Sequence, residues 1–194
     1  MTDPLYTFAA QLLGNPLDEH FWKILRASHT VAAARKGDIL LREGEICGSV
    51  NFLTSGIVRM MTTQQGELHT FAFIEEGFYF TDYVSVLTGK PSHTCIEALE
   101  DIEYLRLDVD AIRNLYASSP HAERYGRLIA EYLFIELNES VYSLRNNDAE
   151  QRYDDLMQKQ PRLANRVPQY MIAQALNITP EHLSRIRRKK ATKS

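Results

Sequence analysis

The chain has 194 residues, 44% of them hydrophobic and 24% charged, with a formal net charge of −3. That is enough apolar material for one domain of moderate size and a smaller second one, and it excludes a disordered chain. No run approaches the roughly 18 apolar residues of a membrane span, no basic and apolar leader opens the chain, and Cys47 and Cys95 do not form a C-x-x-C pair. A cytoplasmic protein without a disulfide framework or zinc site is therefore expected.

Residues 3–28 read as helices. Phe8, Leu12 and Leu13, then Phe21, Ile24 and Leu25, recur at helical spacing on either side of the Gly14-Asn15-Pro16 break, with Asp18 as a cap for the second piece. From Val31 to Leu107 the period changes to two. Gly37-Asp38, Glu43-Gly44-Glu45, Ser55-Gly56, Gln65-Gly66 and Glu76-Gly77 separate strands at 39–41, 49–54, 57–62 and 68–74, and Ile96 to Leu107 supply the closing strands. Short strands at this spacing predict an antiparallel barrel or jelly roll. A short helix starts at Asp108 or Asp110 and ends before Ser118-Ser119-Pro120.

A long helix runs from about residue 121 to 144. Tyr125, Leu128, Tyr132, Ile135, Glu139 and Tyr142 alternate at intervals of three and four, a coiled-coil seam with one charged interruption. Ile129, Leu133, Leu137, Val141 and Leu144 form a second stripe, and a helix with two apolar faces has two partners. Tyr125, Leu128, Tyr132, Ile135 and Tyr142 are the expected homodimer interface, while burial of the whole helix within one subunit is the alternative. Residues 145–148 are polar and read as a hinge. A further helix extends to Lys159, with Tyr153, Leu156 and Met157 facing inward, and Pro161 follows.

The stretch from Val167 to Lys190 combines spacing, turn chemistry and charge. Ile172, Ala173 and Leu176 share one helical face, Asn177 stands where the backbone must turn left-handed, and Thr179 caps a second helix opened by Pro180 and Glu181. Leu183 and Ile186 face back inward. Arg166 to Ser194 holds seven Lys or Arg against one acid, so this end carries +6 and the remainder −9 of the total −3. A basic end on an acidic body predicts contact with a polyanion, and a helix-turn-helix predicts that the polyanion is double-stranded DNA.

Ile172-Ala173-x-x-Leu176 followed by Glu181-x-x-Ser184-Arg185 resembles the helix-turn-helix of the Crp/Fnr transcription regulators. Lys36-Gly37-Asp38, Glu43-Gly44-Glu45 and Phe52-Leu53-x-x-Gly56-x-Val58-Arg59 resemble the turn signature of that family's cyclic-nucleotide-binding β-roll. The resemblance implies an α+β fold: a jelly-roll sensor over residues 1–118 with flanking helices, a dimerisation helix and hinge over 119–146, and an all-α DNA-binding domain over 147–194 without the family's full β-hairpin wing. It also implies a homodimer on a near-palindromic DNA site, with RNA polymerase as a further partner and no membrane association. Some Fnr-type relatives hold an iron–sulfur cluster, but two cysteines cannot supply its four thiolates.

In that family the segment after Glu76-Gly77 forms a cassette in which helix amides and an Arg hold a cyclic phosphate and a Gly-Glu carboxylate holds the ribose. Here the Gly-Glu position reads Thr81-Asp82, and the Arg position falls within Lys90-Pro91-Ser92-His93-Thr94, where no Arg stands. Losing a bidentate guanidinium costs ~2–5 kcal/mol, so cAMP is not the expected effector and no cofactor is assigned. Phe71, Phe73, Phe80, Thr81, Asp82, Ser92, His93 and Thr94 are the candidate lining of a pocket for another small effector, with a filled core as the alternative.

The expected DNA-contacting residues are Thr179, Glu181, His182, Ser184, Arg185, Arg187, Arg188, Lys189 and Lys190. Arg185 and Glu181 would read guanine and cytosine edges, while Arg187, Arg188, Lys189, Lys190 and Lys193 would meet phosphates. A small-molecule sensor acting through a protein partner is the alternative function. No paired carboxylates, nucleophile elbow or metal spacing points to an enzyme.

Overall fold

Local sequence starts and stops the helices of this computed structural model, which describes residues 3–191. The Asp3 carboxylate caps α1 (Pro4–Leu13), and Gly14 ends it in the left-handed region. Asp18 caps α2 (Glu19–Ala27) by accepting the Phe21 N–H.

Eight strands follow: β1 (Thr30–Ala34), β2 (Ile39–Leu41), β3 (Ser49–Ser55), β4 (Ile57–Gln64), β5 (Glu67–Glu75), β6 (Tyr79–Phe80), β7 (Cys95–Ala98) and β8 (Ile102–Asp108). The helix α3 (Tyr83–Thr88) interrupts them after β6. They form two antiparallel four-stranded sheets, ordered β1-β8-β3-β6 and β2-β7-β4-β5. The jelly-roll expectation holds, and the strands match the expected spans to within two residues. Gly56 closes the β3–β4 turn at φ 92°, and a Cβ there would stand 2.7 Å from the Ile102 side chain and 2.8 Å from the Asp101 carbonyl.

Alternation along the strands sends side chains to two different cores. Leu53, Val58, Phe80, Ile96 and Ile102 fill the space between the sheets. Phe52, Leu105 and Leu107 point the other way, under Leu5, Phe21 and Leu25 of the N-terminal helices and Tyr125 of α5 (Pro120–Asn146), which α4 (Val109–Ser118) precedes. Gly126 lets α5 close on α4, since a Cβ at that position would overlap the Tyr116 hydroxyl and ring. A buried polar chain crosses this core: Tyr125 and Tyr79 hydroxyls lie 3.3 Å apart, and Tyr79 lies 3.4 Å from His29 Nε2, whose Nδ1 reaches the Leu25 carbonyl.

The C-terminal helices are α6 (Ala149–Lys159), α7 (Leu163–Arg166), α8 (Gln169–Ala175) and α9 (Pro180–Ala191). Asp148 and Gln151 make a reciprocal capping box at the start of α6. The one-turn helix α7 was not expected from the sequence, being too short for any periodicity to show. A third core joins these helices to the roll: Leu163, Val167, Met171, Ile172, Leu176 and Leu183 pack with Ile57, Phe73 and Leu99 from the outer face of the second sheet. The molecule is thus layered as helices, sheet, sheet, helices. No helix among the described residues is long and apolar enough to cross a membrane.

Candidate nucleic-acid interface

The turn between α8 and α9 is built from backbone chemistry. Asn177 has φ 53°, its N–H donates to the Gln174 carbonyl at 2.8 Å, and the Ile178 N–H donates to the Ala173 carbonyl at 3.0 Å. This pair of bonds is a Schellman closure, and Ile178 packs back on the core that holds Ala173. Thr179 Oγ1 accepts the His182 N–H at 3.2 Å, and Pro180 occupies the first helical position. The backbone N–H of Glu181 and the Thr179 hydroxyl hold the Glu181 carboxyl below its ordinary pKa.

With Leu183 and Ile186 buried, Glu181, Ser184, Arg185 and Arg188 are exposed on the opposite face of α9, Thr179 is exposed beside them, and His182 is half-buried. Arg187 and Lys190 do not join that face. At 100° per residue they follow Leu183 toward the core side, where both are half-buried and Arg187 Nη1 has no hydrogen-bond partner among the described residues. Lys189 Nζ lies 2.5 Å from Glu150 and Lys190 Nζ 2.6 Å from Asp154, both acids on α6. Two cations assigned to phosphate therefore already hold carboxylates. Lys193 lies outside the described residues.

The long helix also corrects the expected interface. Tyr125 is only 2% exposed, within the core under the roll, so its side chain is not offered to a second subunit. Leu128 and Tyr132 are half-buried, and Tyr132 packs on Phe8. Ile135 and Tyr142 are exposed, together with Phe134, Leu137, Val141 and Leu144, which the seam count assigned to the other stripe or missed. The two stripes share one helix circumference, and only tertiary packing decides which arc the roll covers.

The candidate effector residues separate into three places. The register shifts between Met60 and Met61, so Ala72 and Thr70 pair with them and Phe71 is left as a bulge. Phe71 consequently turns to solvent, while Phe73 faces α7 and α8 rather than the roll interior. His93 is also exposed. Phe80, Thr81, Asp82, Ser92 and Thr94 do gather: Asp82 Oδ1 accepts the Val84 and Ser85 N–H groups of α3, and its Oδ2 accepts the Ser92 hydroxyl at 2.6 Å. Ser92 Oγ also accepts the Thr94 N–H, and Thr81 Oγ1 donates to the Ser49 carbonyl. A cleft of about 220 Å³ opens next to Phe80, lined by Leu41, Ile46, Cys47, Asn51, Ile96 and Arg106. No motif marked these residues, because strands far apart in sequence bring them together.

Residues 32–119 match the family model described as the cyclic nucleotide-binding domain. No curated protein sequence matches the chain. Among solved structures it is similar to FixK2 from Bradyrhizobium japonicum, with TM-score 0.72, 19% identity and 85% of each chain covered. It is similar to the c-di-GMP responsive global regulator CLP of Xanthomonas campestris, with TM-score 0.69 and 14% identity over 91% of this chain and 93% of that chain. A protein described as a transcriptional regulator of the Crp/Fnr family from Eubacterium rectale matches with TM-score 0.69 and 14% identity, over 91% of this chain and 85% of that one. Residues 32–119 thus match a cyclic nucleotide-binding domain, and the chain as a whole shares the fold of these solved structures.

Proposed function

We propose that the protein is a homodimeric, sequence-specific DNA-binding transcription regulator whose β-roll does not use cAMP in the family's usual way. The observation that carries the reading is the face of α9: Glu181, Ser184, Arg185 and Arg188 stand exposed on a helix set by a Schellman turn and a Thr179 cap. Such a helix fits the major groove with its N-terminal residues at base edges. Arg185 suits guanine O6 and N7, Glu181 suits cytosine N4, and Arg188 suits phosphate.

The exposed apolar arc of α5, Phe134, Leu137, Val141 and Leu144, supports pairing with the same helix of a second copy. Two recognition helices then meet half-sites about 34 Å apart on a near-palindrome. Against cAMP, Asp82 already occupies the first amides of α3, and Ser92 stands in the loop where the family places its arginine. An anion added there meets the Asp82 carboxylate.

The test is selection from random duplex DNA at moderate salt, with and without cAMP. A palindrome enriched without nucleotide is expected. Enrichment only with cAMP overturns the reading of the cassette. No enrichment in either condition moves the weight to a sensor that acts on a protein partner.

A further inference from the structure

We propose that Arg166 and Gln174 are positioning residues that fix the separation of the two recognition helices, and so set which half-site spacing the protein accepts. The inference rests on the DNA-binding dimer proposed above. Between α5 and α6 the covalent link is the short hinge at Asn147, so the reading head takes its position from what it packs against. Its contacts with the roll are directional as well as apolar.

β5 is an edge strand, with unpaired main-chain groups along one side. The Thr70 N–H of that edge donates to Gln174 Oε1 on α8 at 3.2 Å. Three residues on, the Phe73 carbonyl accepts from Gln160 Nε2 at 2.9 Å. A slide of the head by one residue along β5, about 3.3 Å, would present each glutamine with the wrong group. The Thr70 hydroxyl is in turn reached by Arg59, which is paired with Glu97 across the sheet.

At the other end of β5, Arg166 draws together three carboxylates. Its Nη1 lies 3.3 Å from Glu75 and 2.7 Å from Glu76, and its Nη2 lies 2.7 Å from Glu100. The Arg166 side chain is 17% exposed, and its hydrogen bond holds the Glu100 carboxyl below its ordinary pKa. Without it, three acids of the roll face one another at the docking surface. Two further cations fasten the head to the hinge and to α5. Arg152 donates to the carbonyls of both Asn147 in the hinge and Leu176 in the helix-turn-helix turn, and Lys159 bridges Glu136 and Glu139. The head is registered against a body that dimerises, so the register sets the distance between the two α9 helices.

The test uses the full chain and its Arg166→Gln and Gln174→Ala variants against duplexes carrying two selected half-sites at varied spacing. The wild type is expected to enrich one spacing. Arg166→Gln is expected to keep the same half-site bases, accept neighbouring spacings, and lose about tenfold in affinity for the preferred one, because the second head is no longer held at high effective concentration. Hydrogen exchange at the Thr70 amide is the independent readout. It is expected to accelerate at least about tenfold in both variants while amides of the β3–β8 pair stay protected. Gln174→Ala, which removes only an amide, keeps the test open where Arg166→Gln compromises folding. A spacing profile unchanged despite faster Thr70 exchange overturns the proposal, as does unchanged exchange. Absence of any paired half-site with wild type overturns the DNA-dimer reading and this inference with it, and the exchange result still separates a docked head from a loose one.

Discussion

Thr70 and Gln174 lie 104 residues apart in sequence, yet the main-chain N–H of the first donates to the side-chain oxygen of the second at 3.2 Å. The bond ties α8 to the exposed edge of the β-roll. It also satisfies a donor that an edge strand otherwise offers to water or to another chain.

Arg185→Ala is expected to cost ~1–3 kcal/mol of specific DNA binding and to relax preference at one position of each half-site. Arg188→Ala weakens all sequences alike and reduces the salt slope by about one. Titrations on selected and random duplexes at several salt concentrations check both. Equal loss on both duplexes for Arg185→Ala rejects the base-reading role.

Glu150→Gln is expected to strengthen DNA binding. Glu150 holds Lys189 at 2.5 Å and lies 3.6 Å from Lys190, so phosphate must compete with it. Because these pairs are substantially solvated, the gain is small, roughly two- to fivefold at low salt, and it fades as salt rises. Fluorescence anisotropy measures it, and weaker binding contradicts the competition.

Asn177 carries a left-handed backbone at φ 53°. Asn177→Gly is expected to change stability by less than about 1 kcal/mol, whereas Asn177→Val costs about 1–2 kcal/mol because a branched Cβ meets the following carbonyl. Thermal melting of the two variants distinguishes them. Equal melting temperatures would falsify the turn assignment.

Leu137→Asp, on the exposed arc of α5, is expected to leave the fold intact and shift the protein toward monomer in sedimentation. Leu128→Asp serves as the contrast: that half-buried side chain lies on the flank nearer the roll, so its loss lowers the melting temperature instead. Unchanged sedimentation for Leu137→Asp would remove this face from the dimer.

His29 is buried, and burial lowers its pKa; the Leu25 carbonyl opposes that shift, Arg26 adds to it and Asp3 opposes it. A histidine with a depressed folded pKa takes up its proton more readily in the unfolded chain. Its contribution to stability is therefore complete above the unfolded value of about 6.5 and is lost as pH falls from there toward the folded value. Melting temperatures between pH 7.5 and 5.5 are expected to decline, with a shallower decline for His29→Gln. An equal slope in the variant assigns the acid sensitivity elsewhere.

Much of the fold was legible because its signals are local. Asp18 and Thr179 cap the helices that their positions predicted, and Asn177 turns where its side chain suggested. Strand spans followed from alternation between glycine turns. The candidate pocket was less legible, since a single bulge at Phe71 sends Phe73 to the opposite side of the sheet from the roll interior. Residue counting at period two has no means of detecting one extra residue in a ladder.

The α9 face shows the same division. Which residues point away from Leu183 and Ile186 is a matter of helical geometry, and Glu181, Ser184, Arg185 and Arg188 were readable from spacing alone. That Lys189 and Lys190 already hold Glu150 and Asp154 depends on where α6 lies, some forty residues away in the chain. By itself the sequence determined element types, caps, turn chemistry and the basic last helix, because these are settled within a few residues of backbone. Only the tertiary structure decided which arc of α5 is buried, where the cleft opens, and that Arg166 and Gln174 tie the C-terminal helices to the roll. Those outcomes depend on which distant surfaces meet, and no local period encodes that.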